Sequence, residues 1–343
     1  MAPNQAGYAP SVHEHRYHEP PEYLASRLHD ALAADPRINQ LDVVARIVEG
    51  EVVLTGSVLT HDRLEAVEAV ARRVAGDRRI VNAVEVRDLA GIGEHEPVRS
   101  VRVAAVGDVH FGTDSSGQLA GHVSRLSRDA DLLLVAGDLT RHGTADEARV
   151  LAEDLRPCDV PVVAVLGNHD HHADEPEAVV RELERAGVTV LEGTARTFEV
   201  RGMRVGIAGT KGFGGGFVGA CGSDFGERLM KDFIGHTRLL ANQLRAALVG
   251  LDADVRIALL HFSPVEGTLR GERLEIYPWL GSYLLAEAID GAACDLAVHG
   301  HAHAGTEHGQ TPGGVPVRNV AQPVIGRPYT VYCVEPAARP VLV

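Results

Sequence analysis

The chain has 343 residues, 45% of them hydrophobic and 23% charged, with a formal net charge of −14. That balance excludes a general nucleic-acid binder, which needs a basic face to displace counterions. No apolar run approaches the ~18 residues of a membrane span, and the length suits one large domain beside a small one. The opening stretch "MAPNQAGYAPSVHEHRYHEPPEY" has no basic start followed by an apolar run, and Cys158, Cys221, Cys294 and Cys333 form no C-x-x-C pair. A reducing, cytoplasmic setting is therefore expected.

Residues 1–19 hold Pro, Gly and His with nothing to build a core, and read as a flexible arm. His13, His15 and His18 are taken as part of that solvated tail. From residue 20 the pattern is regular. "PEYLASRLHDALAAD" places Leu24, Leu28, Ala31 and Leu32 on one helical face. "VVARIVEGEVVLTGSV" reads as two strands around a turn at Glu49-Gly50-Glu51. "HDRLEAVEAVARRVAG" is a second amphipathic helix stopped by Gly76, and "RIVNAVEV" supplies a third strand. This α-β-β-α-β pattern, with "GEVVLTGSV" and the closing "VNAVEV", resembles the BON domain over residues 20–90. The resemblance implies contact with phospholipid or a protein partner, and leaves an oligomer open.

Residues 91–99 read as a linker. Beyond them, strands "VRVAAV", "DLLLVA" and "PVVAVL" alternate with helical stretches near Gln118–Leu126 and Ala145–Leu155, the signature of βαβ units and a parallel sheet. Strand "TFEV" is expected to pair with "RVGIAG". A long helix near Glu227–Val249 and strand "RIALL" follow, and "VPVRNV" is expected to pair with "YTVYCV". The fold class is α/β with mixed sheets, plus a small α+β domain at the N-terminal side.

The chemistry stands just past the strand ends. "VRVAAV" runs into Gly107-Asp108-Val109-His110, "DLLLVA" into Gly137-Asp138, and "PVVAVL" into Gly167-Asn168-His169-Asp170. "RIALL" is followed by His261, and "DLAV" by His299-Gly300-His301-Ala302-His303. The first three acidic or amide positions recur at about one βαβ repeat. Parallel strands place such ends at one sheet edge, where open α/β sheets bind ligands. Any one of these groups alone is an ordinary loop residue. Together they form a set whose charges need mutual compensation, and a metal site supplies it.

The ordered set D-x-H, G-D, G-N-H-D, a solitary H and G-H-x-H resembles the calcineurin-like metallophosphoesterases over residues 100–335. The resemblance implies two stacked mixed β-sheets flanked by helices, within a domain of residues 100–343, and a dinuclear centre at the sheet edge. Position by position, it implies Asp108, His110 and His303 on the first metal, Asn168, His261 and His301 on the second, and Asp138 bridging both. A bridging hydroxide is then the nucleophile and His169 the general acid, with Asp170 as its orienting partner. Imidazole, carboxylate and amide oxygen without thiolate favour Mn, Fe or Zn. "GDLTRHG" departs from the G-D-x-V-D-R-G of serine/threonine protein phosphatases, and Arg141 stands where purple acid phosphatases carry an iron-binding Tyr. The closest likeness is to the branch containing cyclic-nucleotide phosphodiesterases.

The expected activity is hydrolysis of a small phosphate ester, a diester before a monoester. The alternatives are a broad-specificity phosphomonoesterase and a lipid- or partner-binding regulator whose catalytic domain is a scaffold. His171 and His172 are expected in a solvated loop, and His299 in a structural position. Lys211, Arg228, Arg270 and Arg273 are the candidate phosphate partners. The Gly-rich "TKGFGGGFVGACGSDFGER" and "PVEGTLRGERLEIYPWLGSY" are expected around the site mouth.

Overall fold

The computed structural model describes residues 24, 25, 27, 28, 31, 32, 35, 38, 43–48, 50–58, 61–86 and 100–336. The expected arm at 1–19 and linker at 91–99 lie outside the described residues. The chain divides into two units, Met1–Glu96 and Pro97–Val343.

In the first unit, strands β1 (Val43–Val48) and β2 (Glu51–Val58) form the expected hairpin, with Val48 opposite Glu51. Helix α1 (His61–Ala75) then carries the chain back so that β3 (Ile80–Val86) joins β2 in parallel. The helical residues Leu24, Leu28 and Leu32 are buried with Val52, Leu54, Val67, Val70 and Ala71 in one core. Period 3.6 on the helices and period 2 on β2 put all of them on facing surfaces.

The second unit holds two larger sheets. One contains β4 (Val101–Val106), β5 (Leu132–Ala136), β6 (Val162–Val165) and β7 (Thr189–Val190) in parallel. The other is built around β9 (Met203–Thr210), β12 (Val255–Leu260) and β13 (Leu296–His299), also parallel, with β8 (Thr194–Val200) antiparallel at one edge. Two-stranded β10 (Gly216–Phe217) and β11 (Ala220–Cys221) stand apart from both sheets. Alternation along β12 explains the stacking. Val255, Ile257 and Leu259 join β4, β5 and β6 in the inter-sheet core, while Ala258 and Leu260 pack under two helices, Arg228–Val249 and Tyr283–Asp290. Two buried faces on one strand give the unbroken apolar runs noticed in the sequence.

The pairing expected for "VPVRNV" and "YTVYCV" is corrected here. β15 (Pro316–Asn319) lies between β13 and β14 (His308–Gln310), whereas β16 (Thr330–Val334) crosses to the other sheet and pairs antiparallel with β4. A helical turn, Gln322–Ile325, separates the two strands. The chain thereby changes sheets, and Gly107 donates to the Val320 carbonyl at 2.8 Å to join the layers.

Candidate metal centre

β4, β5 and β6 run parallel in one sheet, and β9, β12 and β13 in the other. Their C-terminal ends meet at a common edge, where Asp138 from the first sheet lies 3.3 Å from His261 of the second. The backbone bends sharply to aim the side chains inward. Asp108, His110, Asp138 and His301 all have positive φ, between 42° and 69°. Non-glycine residues seldom adopt that conformation, and it concentrates at functional sites. The preceding glycines are there for space. A Cβ at Gly137 would lie 2.5 Å from the His261 ring, and one at Gly167 would lie 2.1 Å from the Asp138 main chain and carboxylate.

Two groups of ligand-type atoms result. Asp108, His110, Asp138 and His303 each offer one atom, all within 4.8 Å of one another, and Asp138, His261 and His301 do the same. Asp138 belongs to both. Asn168 joins the second group, its Oδ1 2.9 Å from His261 Nε2. Every expected ligand position therefore reaches the edge.

The hydrogen bonds behind these groups fix which nitrogen faces the site. His261 Nδ1 donates to the Ala136 carbonyl at 2.9 Å, leaving Nε2 turned inward. His301 Nε2 lies 3.3 Å from the Trp279 carbonyl, leaving Nδ1 inward. Such outer partners orient ligating histidines. Burial pushes the His261 ring well below its ordinary range, and pushes His301 down to about 3. Both are neutral at pH 7. The bare His261 Nε2 then points at Asn168 Oδ1 and, at 3.3 Å, at Asp138 Oδ1. Three acceptors face one another with no proton between them, although Asp138 Oδ1 also accepts the His169 main-chain N–H, and a cation makes that repulsive arrangement attractive. The residues fit a metal.

On the other side, His303 Nε2 lies 2.8 Å from Asp108 Oδ1, and the Asp108 carboxylate accepts the His301 main-chain N–H at 3.0 Å. Burial pushes Asp108 up to about 6, against the opposing pull of His303. The same hydrogen bond raises His303. His110 Nε2 stands 3.7 Å from Asp138 Oδ2.

His169 stands beside these groups. Its main-chain N–H donates to Asp138 Oδ1 at 2.8 Å, its Nδ1 meets the Arg141 carbonyl at 2.9 Å, and its Nε2 lies 4.0 Å from Asp138 Oδ2. The expected contact between Asp170 and the His169 ring is not made. Asp170 is fully buried, and its two oxygens accept from Leu139 N, Thr140 N, Thr140 Oγ1 and Gly167 N at 2.6–3.1 Å. Asp170 ties the Asp138 loop to the Asn168 loop, and the Arg141 carbonyl orients His169. Main-chain carbonyls such as those of Arg141 and Trp279 leave no mark in a sequence.

His299, expected as an outer-sphere or structural group, lies inside the fold. It is buried, and its Nε2 lies 2.8 Å from Thr268 Oγ1. His172 is exposed, but His171 departs from expectation: it is half-buried and, among the described residues, its Nε2 has no hydrogen-bond partner. The short helical turn His169–His171 draws it inward. Arg228, Arg270 and Arg273 are exposed, and Arg228 is engaged by Asp232 at 2.7 Å.

Two groups of oxygen and nitrogen ligands, sharing one buried carboxylate at the edge of paired parallel sheets, define a metallophosphoesterase-type centre. The chain belongs to the calcineurin-like phosphoesterase family, whose model matches residues 101–305. The BON domain model matches residues 22–88. Among curated proteins, "Probable glycerophosphodiester phosphodiesterase GpdQ" of Arcobacter nitrofigilis is 35% identical over 63 residues, 18% of this chain and 22% of that relative. The matched stretch thus spans about a fifth of the relative's length. Among solved structures, the phosphopantetheinyl hydrolase (PptH) of Mycobacterium tuberculosis is 17% identical, with a TM-score of 0.52 over 69% of this chain and 96% of that one. That likeness concerns the fold. Among the described residues, no helix is long and apolar enough to cross a membrane.

Proposed function

We propose that the chain is a dinuclear metal-dependent phosphodiesterase. Asp108, His110 and His303 hold one ion, Asn168, His261 and His301 the other, and Asp138 is shared. Two such ions, when bound, neutralise phosphoryl oxygens and supply a water acidic enough to attack phosphorus. The observation that carries this reading is the convergence of bare His261 Nε2, Asn168 Oδ1 and Asp138 Oδ1, with His261 and Asp138 buried and no proton between the three atoms. The donor set has no thiolate, which suits Mn, Fe or Zn.

His169 supplies the proton. The Arg141 carbonyl and Asp138 Oδ1 hold its ring and main chain, so Nε2 is presented to the site while the ring stays partly open to solvent. A group so placed can donate to the departing oxygen and be reprotonated from water. Asp170 supports it indirectly by keeping the two loops in register. A diester is preferred to a monoester on the strength of the curated relative's named activity. The four cysteines are free thiols, which fits a cytoplasmic enzyme. We assign residues 20–90 to a BON-like module that meets lipid or a protein partner, and residues 100–343 to catalysis of a small phosphate ester.

The test is leaving-group dependence in His169→Ala. A nitrophenyl ester departs as its anion, so the variant should keep most activity on it. An alkyl ester needs the proton and should lose about 10²–10⁴ in rate. Equal losses on both esters, with metal retained, would contradict the assignment.

A further inference from the structure

A sixth strand delivers a side chain to the same edge. β9 pairs in parallel with β12, with Thr210 opposite Leu260, so Lys211 occupies beside β9 the place that His261 occupies beside β12. The His261 main-chain N–H donates to the Lys211 carbonyl at 3.1 Å, which locks that register. The ammonium is half-buried and lies 4.9 Å from the centre of the Phe213 ring and 5.3 Å from that of Phe262. Among the described residues it has no hydrogen bond or ion pair, and the negative charges it senses are Glu192 and Asp138. Aromatic faces stabilise a cation only in part. A half-buried ammonium beside a candidate metal centre, with Glu192 and Asp138 as its negative charges but no direct contact to either, has its hydrogen-bonding positions open to an anion.

The rings around Lys211 continue to the metal ligands. Phe262 lies 4.3 Å from the His301 ring and 5.8 Å from Phe213, and Phe213 lies 5.0 Å from Phe233. Phe233 is 5.4 Å from Trp279, whose carbonyl returns to His301. His236 stands edge-on to Phe213 at 4.9 Å. Phe262 is buried, Phe213 and Phe233 are half-buried, and Trp279 is 59% exposed. Phe213 also packs against the core under the second sheet. Phe213 and Phe233 are tilted at 54°, and Phe233 and Trp279 stand edge-on at 83°, so the three rings form an angled apolar cluster, the usual companion of a few polar groups in a ligand site.

We infer that Lys211 is a substrate-positioning residue, its ammonium taking an anionic oxygen of the phosphate ester while Phe213, Phe233 and Trp279 take a planar alcohol group. The inference rests on the phosphodiesterase reading above and adds the substrate class, an ester with a flat leaving group. It also separates this site from one shaped for a glycerol ester, which offers no ring face.

The test uses the full chain loaded with Mn, and compares wild type with Lys211→Met, Lys211→Arg and Phe213→Leu. Met keeps the length and the apolar stem, and Arg restores the charge. Two diesters serve as substrates, bis(4-nitrophenyl) phosphate and glycerophosphoethanolamine. Trp279 is the single tryptophan, so quenching of its fluorescence by 4-nitrophenyl phosphate reports binding without turnover. Lys211→Met should raise KM for both diesters, and the quenching constant, at least tenfold with metal content unchanged. Lys211→Arg should recover most of that loss. Phe213→Leu should raise KM for the nitrophenyl ester alone. An unchanged KM in Lys211→Met, with only a lower melting temperature, would overturn the inference and make Lys211 a structural partner of Glu192, while wild-type turnover would leave the phosphodiesterase reading standing. Tight, Lys211-dependent quenching in a protein that hydrolyses neither ester would support the binding role and sink the catalytic reading.

Discussion

Replacing Asp170 distinguishes a loop clamp from a catalytic carboxylate. Its oxygens accept four hydrogen bonds, from Leu139 N, Thr140 N, Thr140 Oγ1 and Gly167 N. Each buried donor left unpaired costs about 1–3 kcal/mol. Removing the carboxylate also removes its own burial cost, expressed in a pKa pushed up to about 6. The two effects oppose each other, and the net loss in Asp170→Ala should be about 2–4 kcal/mol. Asp170→Asn should be nearly as damaging. One acid oxygen serves Thr140 and the other serves Leu139 and Gly167, so the amide NH₂ must face a main-chain N–H whichever way it turns. For a unit of this size, a loss of ~1 kcal/mol lowers Tm by about 2–4 °C. Calorimetry of metal-free protein at pH 7.5 should show the larger transition falling by roughly 5–15 °C in both variants. If Asp170→Asn melts with the parent but loses about a hundredfold in activity, Asp170 handles a proton for His169 and the clamp account is wrong.

Metal affinity should fall as pH drops through about 6, because Asp108 is pushed up to about 6 and His303 is raised, so protons compete with metal at those two ligands. His261 and His301 are held low and stay neutral throughout that range. Calorimetric titration with Mn at pH 5.5 and pH 7.5 should show weaker binding and more proton uptake by the buffer at the lower pH, and equal affinities would contradict this. A chain shortened to begin at Pro97, where the second unit begins, should fold and retain metal with its nitrophenyl diesterase activity within about threefold of the full chain, a change of less than ~1 kcal/mol in barrier. A folded, metal-loaded but inactive product would mean that the first unit completes the site.

Much of the site was legible because parallel strands impose a simple rule: residues just past each strand end share an edge. Asp108, Asp138, Asn168, His261 and His301 follow it, and each sits after an apolar run that marks its strand. Lys211, named from the sequence as a candidate phosphate partner, follows the same rule after β9. The partner of His169 could not be read, since a main-chain carbonyl belongs to every residue and only the turn at Arg141 aims it. Asp170 was misjudged because adjacency in "GNHD" suggests contact, whereas the helical turn sends its carboxylate into the core. The crossing of β16 to the other sheet was equally hidden. Its apolar sequence would suit either neighbour, and the short helix before it redirects the chain.

The central claim is that Asp138 is shared by two metals. Elemental analysis of the purified protein after Mn loading and desalting measures it directly. The account predicts two ions per chain in the wild type, fewer than one in Asp138→Ala, and about one in Asn168→Ala, which loses an amide from the second position only. Two ions retained in Asp138→Ala, with turnover unchanged, would contradict it.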